Sequence, residues 1–280
     1  MIELKNVTKK FGDFTAVDHL NMTIHTGEFF GLLGPNGAGK TTTISMLSTV
    51  LLPSEGEIFI DGKKLDRKAS AEKSKLSVIT QEFSMRQDMT MDEVMEYQGR
   101  LYHLPKKVIK QRTDELLDFT GLIDYRHRVV RHLSGGMKRK LMICRALMTQ
   151  PQILLLDEPT AGMDAVSRRQ MWNLLRQLHA EGITILLTTH YIEEAQFLCE
   201  RIALIDRGKL NTIDTPDNLI LELGKYTVDE TADETLHSKH FHSREEAIQY
   251  LSRADKDAVL RNTTLEDVFL YKIGRGLGQN

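Results

Sequence analysis

The chain has 280 residues, 41% hydrophobic and 27% charged, with 37 Lys and Arg against 39 Asp and Glu. That composition belongs to a folded chain with one large core or two modest ones, and it excludes a disordered protein. A net charge of −2 and a pI near 6.6 offer no broad basic face for nucleic acid, and no apolar run approaches the ~18 residues that cross a bilayer, so a role at a membrane has to run through a partner.

Cys144 and Cys199 stand far apart without a metal-ligand pattern, which predicts reduced core residues rather than a disulfide or a zinc site. The start, Met1-Ile2-Glu3-Leu4-Lys5, enters strand-like alternation with no basic segment and apolar signal core, so the expected location is the cytoplasm.

Residues 2–11 and 14–25 predict two strands around a turn at Gly12-Asp13. Phe29-Phe30-Gly31-Leu32-Leu33 reads as a short buried strand, and from Lys40 to Leu51 the apolar residues Ile44, Leu47 and Leu51 fall near helical spacing. Glu57 to Ile60 and Leu76 to Thr80 predict further strands. Helical patterns follow over about 85–150, with a capping box at Thr90 and Glu93 and apolar positions at Val108, Ile109, Leu116 and Leu117. Ile153 to Asp157 and Ile183 to Thr189 are nearly continuous apolar strands flanking a helix at Ala165 to Ala180, which makes a βαβ unit. Another strand spans Arg201 to Asp206. Beyond about Thr215 come a polar stretch at Asp229 to His242, a helix from Arg244 to Ala254, a strand near Val259 and a last helix from Thr264, together a small α+β unit over 216–280.

Between the strand ending at Leu33 and the helix starting at Lys40 lies Gly34-Pro35-Asn36-Gly37-Ala38-Gly39-Lys40-Thr41, which fits G-x-x-x-x-G-K-[ST] at every fixed position. Glycines let backbone N–H groups curl around phosphate oxygens, Lys40 neutralises the outer phosphates, and the Thr41 hydroxyl suits Mg²⁺. Alone, the loop leaves kinases, GTPases and transport ATPases open. Asp157-Glu158 ends a buried strand at the edge where ligands bind; Asp157 suits the metal's water shell, and Glu158 suits the water that attacks the terminal phosphate. Leu133-Ser134-Gly135-Gly136-Met137 opens a helix with Ser134 as N-cap, a second anion site that a second subunit would explain.

The phosphate loop, Gln81 after a strand, Leu133-Ser134-Gly135-Gly136, Asp157-Glu158, Ala161-Gly162-Met163-Asp164 and His190 after a strand stand in the order of one known family. Over roughly residues 2–215 the chain resembles the ATP-binding subunit of an ABC transporter, with Met137 where that family usually has Gln. The resemblance implies an α/β P-loop core with a RecA-like parallel sheet, an N-terminal antiparallel β subdomain, the helical subdomain inserted at about 85–150, and the 216–280 appendage.

It also implies ATP and Mg²⁺ as ligands. Asn36, Gly37, Ala38, Gly39, Lys40, Thr41 and Thr42 would cradle the phosphates; Thr41, Gln81 and Asp157 would face the metal; Glu158, Gln81 and His190 would serve hydrolysis. A second copy packed head to tail would bring Ser134, Gly135 and Gly136 onto the same ATP, with Asp164 coupling the two sites. Family position suggests Phe11 as the ring stacked on the base with Val17 beneath it, while plain core remains the other reading of Phe11. The membrane partner would be a separate permease of roughly six apolar spans, placing the chain peripherally on the cytoplasmic side of the membrane, with no nucleic-acid partner.

Thr264-Leu265-Glu266-Asp267-Val268-Phe269-Leu270 resembles the end of subunits from the branch exporting drugs, lipids, polysaccharides, ions or peptides, although Thr264 with Asp267 is also a generic helix start. The alternatives are a soluble ABC ATPase acting on ribosomes or DNA, and the ATPase of an uptake system. Against the soluble one stand a single phosphate loop, no heptad array and no basic tract.

Overall fold

The computed structural model describes residues 1–83, 85–232, 235–254 and 257–274. Strands β1 (Ile2–Phe11) and β2 (Phe14–Ile24) pair antiparallel around Gly12, whose φ of +57° suits a residue without a side chain. Strand β3 (Phe29–Leu33) leads through the phosphate loop into α1 (Lys40–Leu47). Strand β4 (Glu55–Ile60) pairs back onto β1 and carries the two-residue β5 (Lys63–Lys64), giving an antiparallel sheet ordered β2-β1-β4-β5. Helix α2 (Ser70–Lys73) and strand β6 (Leu76–Ile79) follow. Three helices then come in succession: α3 (Met91–Leu101), α4 (Lys106–Phe119) and α5 (Gly135–Leu147). Thr90 and Glu93 cap the first of them reciprocally, so two otherwise unpaired donors are satisfied there.

The chain returns to the sheet through β7 (Ile153–Asp157), α6 (Ala165–Ala180), β8 (Thr184–Thr189), α7 (Ile192–Leu198), β9 (Arg201–Asp206) and β10 (Lys209–Asp214). The six-stranded sheet runs β10-β9-β3-β8-β7-β6, parallel except for β10. Its side chains alternate between two buried clusters. Phe29, Leu33, Leu154, Leu156, Ile185 and Leu187 face the helices α5, α6 and α7; Phe30, Leu32, Leu155, Leu186 and Ile205 face α1 and the antiparallel sheet. Both faces are covered, which is why these strands read as unbroken apolar runs rather than alternating ones.

Beyond β10 the structure departs from the sequence pattern in one place. The polar stretch at Asp229 to His242, to which the pattern assigns no element, forms most of a hairpin, β11 (Tyr226–Ala232) with β12 (Thr235–Phe241), following α8 (Pro216–Leu223). Helix α9 (Arg244–Leu251), strand β13 (Val259–Asn262) and helix α10 (Leu265–Gly274) complete this part, with β11 central in a sheet ordered β12-β11-β13. Val228 and Thr227 are buried while their neighbours are largely polar, so the alternation that marks a strand is carried by very few apolar residues. Leu219, Leu265 and Val268, on α8 and α10, join the same buried cluster as Phe29 and Leu187. The last six residues of the expected 216–280 unit, 275–280, lie outside the described residues.

Candidate active site

Parallel pairing brings the ends of three strands to one edge. Leu33 lies opposite Thr189 and Asp157 opposite Thr188, so the segments leaving β3, β7 and β8 emerge side by side. This is the carboxyl edge, where ligands of such sheets bind. The loop after β3 is confined by its neighbours. A Cβ on Gly34 would lie 2.2 Å from the Ile205 carbonyl oxygen, and one on Gly39, at φ +103°, would lie 2.5 Å from that of Ala16. Only glycine fits either position.

Gly39 is also the N-cap of α1, and having no side chain it leaves the first N–H groups of the helix, Lys40 to Thr42, uncapped. The N–H of Ala38 donates to the Pro35 carbonyl at 3.2 Å and that of Thr43 to the Gly39 carbonyl at 2.9 Å. The exposed N–H groups and the positive dipole end of α1 therefore suit an anion with several oxygens, as a polyphosphate has.

Lys40 is buried, and its Nζ donates to the carbonyls of Gly34 at 2.9 Å and Pro35 at 3.0 Å. Its third neighbour is Glu158 Oε1 at 3.3 Å. The other oxygen of Glu158 accepts from His190 Nδ1 at 2.9 Å, which places the imidazole proton on that nitrogen because a carboxylate can only accept. Glu158 is 8% exposed and holds φ at +48°, in the left-handed region that side chains other than glycine rarely adopt. Such a conformation persists only where the surroundings enforce it, and it is concentrated at functional sites. The Glu158 N–H donates to the Thr188 carbonyl at 3.0 Å, which fixes the turn.

Asp157 Oδ1 accepts from Thr188 Oγ1 at 2.6 Å and from Thr41 Oγ1 at 3.2 Å, tying β7 to β8 and to the start of α1. Among the described residues no group of three or more His, Cys, Asp and Glu could hold a metal alone. One carboxylate beside one hydroxyl instead fits Mg²⁺, which keeps waters and takes its remaining oxygens from a phosphate substrate.

Lys40, Thr41, Glu158 and His190 line a cavity of about 470 Å³ together with Asn36, Gly37, Gly39, Thr42 and Gln81, while Asp157 is buried behind Thr41 and is not among the lining residues. Two further lining residues, Phe14 and Ala16, did not stand out in the sequence, while a third, Ala161, opens the Ala161-Gly162-Met163-Asp164 run. The base-side expectation changes in detail. Val17 is fully buried behind Gly39, where its Cγ2 would meet an added Cβ at 3.2 Å, so its side chain supports the loop from the core and offers no face to the cavity. Phe11 is 48% exposed beneath the Lys9 ammonium and pairs across the turn with Phe14, which is 64% exposed and does line the cavity. A second aromatic just past Gly12-Asp13 was the available signal. Ala38 is buried, and contributes backbone only.

Ser134, Gly135, Gly136 and Asp164 are not among the cavity's lining residues. Ser134 caps α5 by accepting from the Met137 N–H at 3.2 Å. Asp164 caps α6, accepting from the N–H of Ser167 at 2.8 Å and its hydroxyl at 2.7 Å, and the hydrogen bonds from Ser167 hold its carboxyl below the usual range. A Cβ on Gly136 would stand 3.4 Å from Ser167 Oγ, so the two helix starts are neighbours. Burial pushes the Cys144 thiol up to about 12, and it raises Cys199 as well, in keeping with two inert core cysteines.

Residues 17–161 match the family described as ABC transporter. The linearmycin resistance ATP-binding protein LnrL of Bacillus subtilis is 38% identical over 228 residues, 81% of this chain and 73% of its own length. The daunorubicin resistance ATP-binding protein DrrA3 of Streptomyces coeruleorubidus is 35% identical over 302 aligned positions, 98% of this chain and 96% of that one. Among solved structures, MJ0796, a bacterial ABC transporter cassette determined as a dimer, aligns with a TM-score of 0.69 at 31% identity, over 77% of this chain and 98% of that chain. With this ancestry and a phosphate loop facing Glu158, the chain belongs to the ABC transporter family, as a subunit that binds and hydrolyses ATP.

Proposed function

We propose that this ATPase energises export through a separate membrane-spanning permease, with Glu158 activating the water that attacks the terminal phosphate. The observation that carries the reading is Glu158 itself, buried, held at φ +48°, and flanked by Lys40 and His190 over the phosphate-loop cavity. The export direction draws on the relatives' names, two of which are resistance proteins and others Nod factor export proteins. Among the described residues no helix is long and apolar enough to cross a membrane, which fits a chain that works on a membrane protein's inner face.

In this reading the N–H groups from Asn36 to Thr42 and the Lys40 ammonium hold the phosphates. Thr41, Asp157 and Gln81 would hold Mg²⁺, which when bound offsets phosphate charge. Phe11 stacks on the base, with Phe14 at the cavity wall beside it. His190 steadies the terminal phosphate and, through Nδ1, keeps Glu158 aimed. The adjoining starts of α5 and α6, bearing Ser134, Gly135, Gly136 and Asp164, meet the nucleotide of a second copy packed head to tail.

A groove of about 470 Å³ between α3 and the sheet, lined by Ser77, Tyr97, Leu101, Tyr102 and Arg145, receives a cytoplasmic segment of the permease. Tyr97, Leu101 and Tyr102 are exposed there, as a docking surface requires. Residues 1–215 form the ATPase unit, with 85–150 as its inserted helical part, and 216–280 an accessory unit.

The test is to purify the chain with its chromosomal neighbour, where that neighbour encodes about six apolar spans, and to measure ATP hydrolysis by the pair. Co-purification with faster hydrolysis than the chain alone supports the reading. Absence of association, with hydrolysis stimulated instead by ribosomes or DNA, overturns it.

A further inference from the structure

Glu158 and His190 hydrogen-bond one another, yet they sit on separate loops, each leaving a different strand of the sheet. What keeps the two loops in register lies beneath them. Glu194, on the first turn of α7 and four residues after His190, is 0% exposed. Its Oε1 accepts from Thr160 Oγ1 at 2.7 Å, in the loop two residues after Glu158, and from Trp172 Nε1 at 2.9 Å, on α6. One carboxylate thus joins three segments: the loop after β7, the helix that follows that loop, and the helix that follows His190.

Burying a carboxylate away from water is costly, and a neutral side chain would satisfy the Trp172 donor equally well. Burial pushes the Glu194 carboxyl up, while the hydrogen bonds from Thr160 and Trp172 act in the opposite sense. Its other oxygen, Oε2, is buried with no hydrogen-bond partner among the described residues. The group is therefore tied to the segment after Glu158 through Thr160 and, by its own place on α7, to the segment after His190.

We propose that Glu194 is a positioning residue that fixes the loop of Glu158 against the loop of His190 through its hydrogen bond from Thr160. The inference rests on the assignment of Glu158 and His190 to hydrolysis. Displacing a catalytic group by about 1 Å can lower turnover on the order of a hundredfold without touching substrate binding. The consequence here is a change in kcat rather than in KM for ATP.

The experiment measures steady-state ATP hydrolysis by the full-length chain and its E194A, E194Q, T160V and E158Q variants. Trp172 is the chain's single tryptophan, so its emission reports directly on the acceptor it faces. Expected for E194A is a shifted Trp172 emission and a kcat lower by about tenfold or more, with KM for ATP within about twofold. E194Q keeps an acceptor oxygen and restores both emission and most of the turnover. T160V removes one hydroxyl and lowers kcat by about fivefold; joined to E194A it adds nothing further, because both break the same link.

If E194A does not fold, T160V carries the test, with E194Q as the control that keeps the acceptor, and unchanged kcat in T160V then overturns the inference. Loss of activity in E158Q with unchanged kcat in T160V and E194A overturns this inference alone. Full activity in E158Q overturns the assignment beneath it.

Discussion

Helices α1 and α5 both start among glycines, Gly37 and Gly39 before one and Gly135-Gly136 within the other, yet their leading N–H groups meet different fates. At α1 the N-cap is Gly39, which has no side chain to offer, and around it converge Lys40, Glu158, Asp157 and His190. At α5 the N-cap is Ser134, whose hydroxyl already takes the Met137 N–H, and an added Cβ on Gly135 would meet open space. Both ends carry the positive end of a helix dipole. A dipole attracts an anion, but the proposed chemistry needs a base, a cation and a metal face within reach of it, and at α1 Glu158, Lys40 and Asp157 with Thr41 stand in place for those parts. In the proposed head-to-tail dimer the start of α5 would be half a site, completed by the nucleotide of a second copy.

The strongest test of that asymmetry is Glu158→Gln. It keeps the shape and the uncapped N–H groups of α1 while removing the base, so turnover falls on the order of a hundredfold to a thousandfold with ATP affinity retained. Near-normal steady-state hydrolysis would show that the base lies elsewhere. Lys40→Ala acts one step earlier. Charge-assisted hydrogen bonds contribute about 1.5–3 kcal/mol each, so ATP affinity measured by calorimetry drops by roughly tenfold to a hundredfold. Unchanged affinity would reduce α1 to the status of α5.

Ser134→Ala probes the other side of the comparison. Loss of the cap costs the fold about 1 kcal/mol, visible as a lower Tm. ATP binding by the separate chain stays as it was, since Ser134 does not line the cavity. Hydrolysis falls by roughly tenfold, the loss of one or two hydrogen bonds to the partner's nucleotide. A variant with weakened ATP binding in dilute chain, where no dimer forms, would show that Ser134 acts within its own subunit.

The phosphate loop was legible in the sequence because its physics is local: fixed glycine spacing, one lysine, one hydroxyl, strand before and helix after. Asp157-Glu158 was legible for a similar reason, as charge ending an apolar strand. The positive φ of Glu158 was not, since nothing local demands it; it follows from how the loop after β7 is held by Thr188 on the neighbouring strand. Glu194 was invisible for the same cause. In the sequence it is one of two adjacent glutamates opening a helix, and only the packing of α6 and the loop after β7 turns it inward. Phe14 escaped because the ring that lines a cavity depends on strand register across Gly12-Asp13, which alternation alone does not settle. The hairpin after Lys225 was missed where polar residues on both strands hide a one-sided pattern.

A third helix start completes the comparison with the smallest effect. At α10 the chain fills the position with its own acid: Asp267 Oδ2 accepts from the Thr264 N–H at 2.7 Å and hydroxyl at 2.9 Å, and both oxygens accept from Arg261 at 2.7 Å. Burial alone would raise this carboxyl, but Arg261 and Thr264 outweigh it and hold it below the usual range. A carboxyl whose pKa is lowered on folding adds stability above its unfolded value of about 3.9, and that stability is lost as pH falls through the folded value. Asp267→Asn removes the charge and leaves Arg261 with Asp229 alone. The expected cost is about 1–2 kcal/mol at pH 7, discounted for the partial exposure of Arg261. Below the folded pKa the wild-type carboxyl is itself neutral, so the difference in Tm between the two proteins holds above the unfolded value of about 3.9 and shrinks as pH falls below it toward the lower folded value. A difference that stays constant as pH falls well below about 3.9 would mean that Asp267 works by shape rather than by charge.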